Sequence, residues 1–169
     1  MLRTAAGRCT GRRLLRMMDT VTPRPESADG ADFAAIRALL EREGLPNVDL
    51  GTGPGAGFWV LRDSGRVIGA IGLETYGRSG LLRSLVVAPE ARGTGLGRQL
   101  VEAVEDAARS RGLGRLVLLT ETAERFFAGR GYTVIDRATA PDEVRASAEF
   151  RSLCPASAIC MSKTLATAS

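Results

Sequence analysis

The sequence predicts a single domain of the α/β class, and three observations support this prediction. The length of 169 residues suits one domain with a core of ordinary size. Hydrophobic residues make up 44% of the chain and charged residues 25%, which is the balance of globular proteins, and no apolar run reaches the roughly 20 residues of a membrane span. Segments with helical spacing alternate with short apolar runs, and glycine or proline separates them. We therefore expect helices and strands around one core, with no membrane partner.

The basic residues are concentrated at the start of the chain. The formal net charge is +4, yet residues 1–18 hold five arginines and no acidic residue, so the remainder is close to neutral. A protein that reads nucleic acid needs a basic patch on its folded body, and we expect no nucleic-acid partner. Residues 1–22 are predicted to be a basic, disordered extension, followed by one domain over residues 23–169.

The content of histidine and cysteine excludes several kinds of site. Because the chain has no histidine, it can form neither a Ser-His or Cys-His pair nor an imidazole metal site. Its three cysteines, Cys9, Cys154 and Cys160, form no CxxC pair, so neither a disulfide framework nor a zinc site is indicated. We expect no metal and a cytoplasmic location.

The first half of the domain is predicted to contain one helix and then three strands. Apolar residues at helical spacing begin at Phe33, with Asp29 or Asp32 as the N-cap and Gly44 at the end. After a loop rich in glycine and proline, the segment FWVLRDSGRVIGAIGLETYG indicates two strands joined at residues 63–65. This spacing predicts a hairpin, and a third strand follows in LLRSLVVAPE.

The second half of the domain begins with a glycine-rich turn and continues with alternating helices and strands. A helix runs from Leu96 to about Gly112, and RLVLLT is predicted to be the next strand. Thr120 or Thr122 can cap a short helix through Arg130, and YTVID follows as a strand. The last predicted elements are a helix from Pro141 to about Phe150 and a strand near Ala158 to Leu165.

The segment ARGTGLGRQL places three glycines between a strand and a helix. Such a turn lets backbone N–H groups and the positive end of the helix dipole converge on an anion, usually a phosphate. A tight connection without a ligand is the alternative, since short glycine patterns are common. The spacing fits neither a dinucleotide fingerprint, because Arg98 and Leu100 stand where glycine is needed, nor a Walker A loop, which needs Gly-Lys-Ser/Thr.

The segment does match the acyl-CoA pyrophosphate loop of the GNAT acetyltransferases. Residues 92–97, RGTGLG, fit that family's pattern of Arg or Gln, two residues, Gly, one residue, and Gly or Ala. AERFFAGRGY resembles the family's later helix and strand, and the order of elements agrees over roughly residues 32–165. More narrowly, LLRSLVV, LLTETAERFF and EFRSLCPASAICM resemble the GNAT subgroup associated with arsenic resistance.

The resemblance implies a fold of the α+β type and a cosubstrate, acetyl-CoA. The fold has a mixed, mostly antiparallel sheet that is flanked by helices and splayed between the strands ending near Ala88 and Thr120. Pantetheine would pair with Leu85, Val86 and Val87, and the pyrophosphate would take backbone N–H groups of the loop. The implied cofactor-binding residues outside the strand are Arg92, Gly93, Thr94, Gly95, Leu96, Gly97, Arg98 and Phe127.

The resemblance also raises the question of which groups move protons. Phe127 stands where many members have a tyrosine that protonates the thiolate, and Tyr132 is a weaker candidate for that role. Glu74, at the end of an apolar strand, is the first candidate base, with an exposed strand end as its alternative. Glu121, just beyond the next strand across the splay, is the second, with a favourable charge at a helix N-terminus as its alternative.

Two further positions concern the acceptor. By strict alternation along the strand, Arg83 shares a face with Leu85 and Val87. We therefore expect this arginine to bind an acceptor carboxylate or an oxyanion beside Glu74. A salt bridge to Glu74 is the alternative. Cys154 and Cys160 are expected to be small buried residues rather than arsenic ligands.

The expected function is therefore acetyl-CoA-dependent N-acetylation of a small, acidic, amino-acid-like amine, in a detoxification setting such as arsenic resistance. A non-catalytic acyl-CoA sensor and a protein N-acetyltransferase are the alternatives, the former because of Phe127 and the lack of histidine. The expected partner is a small-molecule amine, and a homodimer is possible for such a fold.

Overall fold

The computed structural model describes residues 23–166, whose helices pack on a seven-stranded sheet. Residues 1–22, the predicted basic extension, lie outside the described residues, and Cys9 lies with them. The helices are α1 (Phe33–Arg42), α2 (Leu96–Ser110), α3 (Glu124–Ala128) and α4 (Asp142–Arg145). The strands are β1 (Glu26–Ser27), β2 (Gly57–Asp63), β3 (Arg66–Tyr76), β4 (Ser79–Val87), β5 (Arg115–Thr120), β6 (Thr133–Val134) and β7 (Ile159–Thr164).

The sheet is mixed and mostly antiparallel. Its strands follow the order β1-β2-β3-β4-β5-β7-β6, and β4 with β5 is the parallel pair. These two strands pair only where residues 79–81 of β4 face residues 115–117 of β5. Beyond that point they diverge, so among the described residues the edge of β4 that faces β5 has no strand partner over its last six residues. This is the predicted splay.

Local chemistry explains the elements that the sequence predicted. Asp29 caps the 3-10 turn Gly30–Asp32 that leads into α1: its side chain accepts a hydrogen bond from the Ala31 N–H, and the Asp32 carboxylate accepts one from the Asp29 N–H. Asp32, the other predicted cap, makes no capping hydrogen bond to α1 itself. Ser64 and Gly65 have φ of 50° and 79° at the tip of the β2–β3 hairpin. Both values suit a two-residue turn that matches strand twist.

Three predicted elements differ from the structure. The sequence predicted three strands before the glycines, and the structure adds the two-residue β1 at the sheet edge. The helix predicted from Pro141 to about Phe150 ends as α4 at Arg145, and a separate π-type turn covers Glu149–Leu153. The strand predicted in YTVID shortens to β6, because the Tyr132 N–H bonds the Phe127 carbonyl and Asp136 caps the turn that follows, although Ile135 still donates to Cys160 of β7.

A bulge in β4 changes which of its residues share a face. Arg83 pairs with Gly72 of β3, and the register shifts before the following pairs. Ser84 takes a left-handed φ of 58° at this point. Because one extra residue is inserted, Arg83 does not share a face with Leu85 and Val87, which corrects the prediction from strict alternation.

Apolar side chains fill both sides of the sheet. The larger cluster joins α1 and α2 to β2, β3 and β4, with Ile36, Leu61, Ile71 and Leu100 fully buried. A smaller cluster joins α4 and the π-type turn to the sheet and includes Leu81, Val117, Val144, Phe150 and Cys160. In the part of the chain that the structure describes, no helix has the length and apolar character to cross a bilayer.

Candidate active site

A cleft of about 1000 Å³ opens where β4 and β5 diverge. Its walls come from the second half of β4, the glycine loop, the end of β5, α3 and the π-type turn. Residues 43–46, which follow α1, close one rim. The cleft therefore lies between the two strands whose separation the sequence predicted.

The glycine loop offers a set of free backbone donors at one end of this cleft. Gly93 and Gly95 have φ of 81° and 82°, and a Cβ added at either would meet no atom within 4 Å. Among the described residues, the N–H groups of positions 93–98 donate to no protein acceptor. These donors surround the N-terminus of α2, a helix of 15 residues, so the loop has the geometry of a phosphate site.

The charged and polar side chains of the loop stabilise it and add positive potential. The guanidinium of Arg92 donates to the Val87 carbonyl at 3.1 Å and to Glu43 at 2.6 Å, which fixes the end of β4 against α1. Arg98 donates to Glu102 at 2.8 Å. The Thr94 hydroxyl donates to the backbone of the same loop, and Thr94 is the one predicted loop residue outside the cleft lining.

The strand and helix beside the loop form an apolar channel. Leu85, Val86 and Val87 line it on the β4 side. Phe127 lines the α3 side and is buried in the core. Phe126 faces Gly97, whose added Cβ would lie 3.4 Å from the Phe126 ring.

Two lining residues of α3 and its end were not singled out in the sequence. They are Phe126 and Arg130, and the guanidinium of Arg130 lies 5.6 Å from the centre of the Phe126 ring. Both belong to the segment AERFFAGRGY. The motif therefore predicted that this helix lies near the site, but not which of its side chains face the cleft.

A buried ionic cluster surrounds Arg83 at the other end of the cleft, where Arg83 and Glu149 line the cleft wall. Arg83 is 3% exposed and makes a bidentate contact with Asp49, at 2.6 and 2.7 Å. It also donates to Glu74 at 3.1 Å, which is the salt bridge that the sequence offered as an alternative. Burial opposes the charge of Arg83, but the three carboxylates of Asp49, Glu74 and Glu149 raise its pKa, so it stays cationic.

Glu74 is buried in this cluster and is not among the residues that line the cleft. Its Oε1 accepts a hydrogen bond from the Tyr76 hydroxyl at 2.8 Å, and its Oε2 faces Arg83. The backbone at Gly53 packs directly against it, since an added Cβ there would overlap the carboxylate. Glu74 is therefore neither an exposed strand end nor open to the cleft.

Glu149, which no sequence pattern singled out, lines the cleft beside Arg83. Its Oε2 lies 3.8 Å from the Arg83 Nε and has no hydrogen-bond donor among the described residues, while its Oε1 accepts from the Cys154 thiol at 3.4 Å. Burial raises the pKa of Glu149 to about 7, against the opposing effects of Arg83 and the Cys154 hydrogen bond. The negative charges of Glu74 and Asp49 contribute to this raised pKa in the same direction as burial.

The remaining predicted residues divide between the cleft and the core. Glu121 lines the cleft and is exposed just after β5. Tyr132 is 2% exposed, lies outside the cleft lining and donates its hydroxyl to Glu105 at 3.1 Å. Burial raises the pKa values of the Cys154 and Cys160 thiols to about 12 and about 11, so neither is an activated thiolate.

Comparisons of sequence agree with this architecture. Residues 54–134 match the family model described as the acetyltransferase (GNAT) domain. The chain is 37% identical over 110 residues to an amino-acid acetyltransferase of Ralstonia nicotianae, across 64% of this chain and 22% of that protein. It is 45% identical over 69 residues to an IAA acetyltransferase of Azospirillum brasilense, across 40% of this chain and 45% of that protein. The chain thus spans less than half the length of these curated relatives.

Comparisons of structure confirm the predicted fold. An N-acetylglutamate synthase from Neisseria gonorrhoeae, complexed with coenzyme A and N-acetyl-glutamate, has a TM-score of 0.72 and 23% identity, covering 85% of this chain and 35% of that one. A Mycobacterium tuberculosis protein solved with CoA and NLQ has a TM-score of 0.71 and 24% identity, covering 85% of this chain and 100% of that one. The splayed, mostly antiparallel sheet is therefore shared with proteins that were crystallised with CoA.

Proposed function

We propose that this chain, whose residues 54–134 match the GNAT acetyltransferase domain model, transfers the acetyl group of acetyl-CoA to the primary amine of a small acceptor. The observation that carries the proposal is that one cleft joins a loop of free N–H donors to Arg83 and Glu149, the two members of the buried ionic cluster that line it. The loop suits the anionic end of the donor, and the carboxylates suit the cationic amine of the acceptor.

The cleft fits acyl-CoA along its length. The pyrophosphate would take the N–H groups of residues 93–97, where the left-handed glycines leave space for it. Pantetheine would run along the unpaired edge of β4 past Val87, with Phe126 on the opposite wall. This path brings the thioester toward the point where β4 and β5 separate, and a backbone N–H of β4 near Val87 would meet the oxyanion.

The charge at the far end of the cleft favours an acceptor that arrives as an ammonium ion. One guanidinium, that of Arg83, faces the carboxylates of Asp49, Glu74 and Glu149, so the cluster carries an excess of negative charge when all are ionised. The relatives named amino-acid acetyltransferases support an amino-acid-like acceptor.

An acidic acceptor needs a further step at Arg83, which the sequence analysis assigned to an acceptor carboxylate. The guanidinium donates to Asp49 and Glu74 already, so an acceptor carboxylate binds there only by exchange with Asp49. Asp49 lies in the glycine- and proline-rich loop between α1 and β2, and its side chain is 19% exposed, so it is the more accessible partner. The proposed acceptors in this class include amino acids with a second carboxylate, phosphinate or arsinate group, the last in keeping with arsenic detoxification.

The test is acetyl transfer by the full chain, with thiol release from acetyl-CoA and the acetylated product measured together. The acceptor panel contains glutamate, a neutral amino acid, the amide of each, a polyamine and amino acids bearing phosphinate or arsinate. We expect turnover with at least one amino-acid-like amine. Tight binding of CoA with no product from any acceptor would contradict the proposal and favour the acyl-CoA sensor.

A further inference from the structure

We infer that Glu149 is the general base that takes the proton from the acceptor ammonium. This inference deepens the proposed function and rests on it. Its basis is geometric: among the carboxylates that surround Arg83, Glu149 is the one that lines the cleft.

The contacts around Arg83 leave Glu149 as the weakly held carboxylate. Asp49 takes two short hydrogen bonds from the guanidinium, and Glu74 takes one from it and one from Tyr76. Glu149 is 5% exposed, yet its Oε2 has no hydrogen-bond donor in the described part of the chain and approaches Arg83 only to 3.8 Å. A buried acceptor atom without a donor is costly, so it has a strong tendency to take a proton.

The groups around Glu149 also determine the pH range in which its carboxylate can take that proton. Three carboxylates share the single positive charge of Arg83, so one proton in the cluster relieves their repulsion. The Cys154 thiol, from the segment after the π-type turn, donates to the other oxygen of Glu149. With a pKa of about 7, the carboxyl exchanges protons readily at neutral pH, which suits a general base.

The local backbone explains how the side chain reaches this place. The π-type turn Glu149–Leu153 follows α4 and carries Glu149 and Leu153 to the cleft wall while Phe150 packs into the smaller core cluster. Turns of this type often occur at functional sites because they redirect side chains relative to a regular helix.

The proton and bond changes are as follows. An N–H proton of the acceptor ammonium moves to Glu149, and the nitrogen lone pair attacks the thioester carbonyl carbon. The C–N bond forms, the C–S bond breaks, and CoA leaves as a thiolate. The second N–H proton of the adduct passes through water to the thiolate, which gives CoA thiol, and Glu149 returns its proton to the solvent.

The test compares two acceptors in wild type, Glu149→Gln and a control, Glu41→Gln, which is exposed on α1. One acceptor is an alkylamine that is protonated at pH 7, and the other is an O-alkyl hydroxylamine that is already neutral. We expect Glu149→Gln to lower kcat/KM for the alkylamine by about 100-fold, the lower end of general-base effects. Its activity with the hydroxylamine and its Kd for CoA should stay within about threefold of wild type.

The outcomes separate this inference from the function on which it rests. Equal losses with both acceptors, or no loss with either, would overturn the role of Glu149 as base. A wild type that acetylates no amine would overturn the proposed function and the inference together. If Glu149→Gln does not fold, the pH profile of the wild type is the test. We expect kcat/KM for the alkylamine to decrease as the pH is lowered through about 7, where Glu149 takes up a proton. A decrease of the same size with the neutral hydroxylamine would overturn the inference.

Discussion

A buried carboxyl poised to exchange protons near pH 7 weakens the fold when it is ionised. The pKa of Glu149 is raised from 4.5 to about 7, so its favourable contribution to stability is present below pH 4.5 and is lost as the pH rises through 7. We predict that Glu149→Gln raises the free energy of unfolding at pH 8 by up to about 3 kcal/mol.

This stability prediction can be checked by urea unfolding at pH 5 and at pH 8. The gain over wild type should shrink toward pH 5, where Glu149 is protonated in the folded protein. Glu41→Gln should show no gain at either pH, because its side chain is exposed. A lower stability of Glu149→Gln at pH 8 would mean that the ionised carboxylate is better paired than its contacts indicate.

The phosphate site can be tested at Gly95 with a control at the other end of the same helix. We predict that Gly95→Glu abolishes measurable acyl-CoA binding, because a carboxylate and a side chain enter the space that the pyrophosphate needs. Gly112→Glu puts the same side chain at φ 77°, also in open space, beyond the other end of α2, a helix about 22 Å long. Calorimetry should show normal CoA affinity for Gly112→Glu, and equal affinity in both variants would rule out the loop as the phosphate site.

The position of Tyr132 leads us to predict that its hydroxyl supports the fold and not the reaction. Tyr132→Phe should lower the free energy of unfolding by about 1 kcal/mol through the lost hydrogen bond to Glu105, and should leave kcat unchanged. Steady-state kinetics beside thermal unfolding would check both parts. A loss of kcat with normal stability would return Tyr132 to the candidates for the proton donor.

At the scale of residues, the sequence was informative about positions that would bind a ligand through their backbone N–H and C=O groups. The glycine loop and residues 85–87 are such positions, since turn geometry and strand order follow from local patterns. Glu149 could not be found in this way, because its raised pKa comes from burial beside Arg83, Glu74 and Asp49, which are distant in sequence.

At the scale of elements, the loop between α1 and β2 supplies a partner to the ionic cluster. We predict that Asp49→Asn lowers the pKa of Glu149, since the charge of Asp49 raises it and the loss of that charge frees Arg83 for Glu149. The acid limb of the pH profile of kcat/KM should therefore move below pH 7. Asp63→Asn, at the exposed end of β2, is the control and should leave the profile in place. An acid limb that moves to higher pH in Asp49→Asn would contradict this coupling.

Elements whose boundaries depend on tertiary contacts were predicted least well. The bulge at Ser84 needs a left-handed φ that serine rarely adopts, so strict alternation gave the wrong face for Arg83. The break between α4 and the π-type turn leaves no clear sequence signal, because residues 142–150 contain neither glycine nor proline. The hairpin at residues 63–65 was predicted correctly because its turn residues act locally.

At the scale of the whole molecule, residues 23–166 hold the seven-stranded sheet, its core and the cleft. We therefore predict that a chain beginning at Pro23 keeps its fold and its acyl-CoA site. Its melting temperature should lie within about 3 °C of the full chain, which corresponds to less than about 1 kcal/mol. Its Kd for CoA should be unchanged by calorimetry, and a large loss of either would mean that residues 1–22 belong to the domain.

The central claim is that one cleft carries an acetyl group from CoA to an amine, and acetyl transfer by the purified full chain tests it most directly. Labelled acetyl-CoA is incubated with the amine panel, and the label is followed into the acceptor for wild type and for Gly95→Glu. We predict labelled N-acetyl product from wild type with an amino-acid-like amine and none from Gly95→Glu. Labelled product in equal amount from both proteins, or from neither while wild type binds CoA, would contradict the claim.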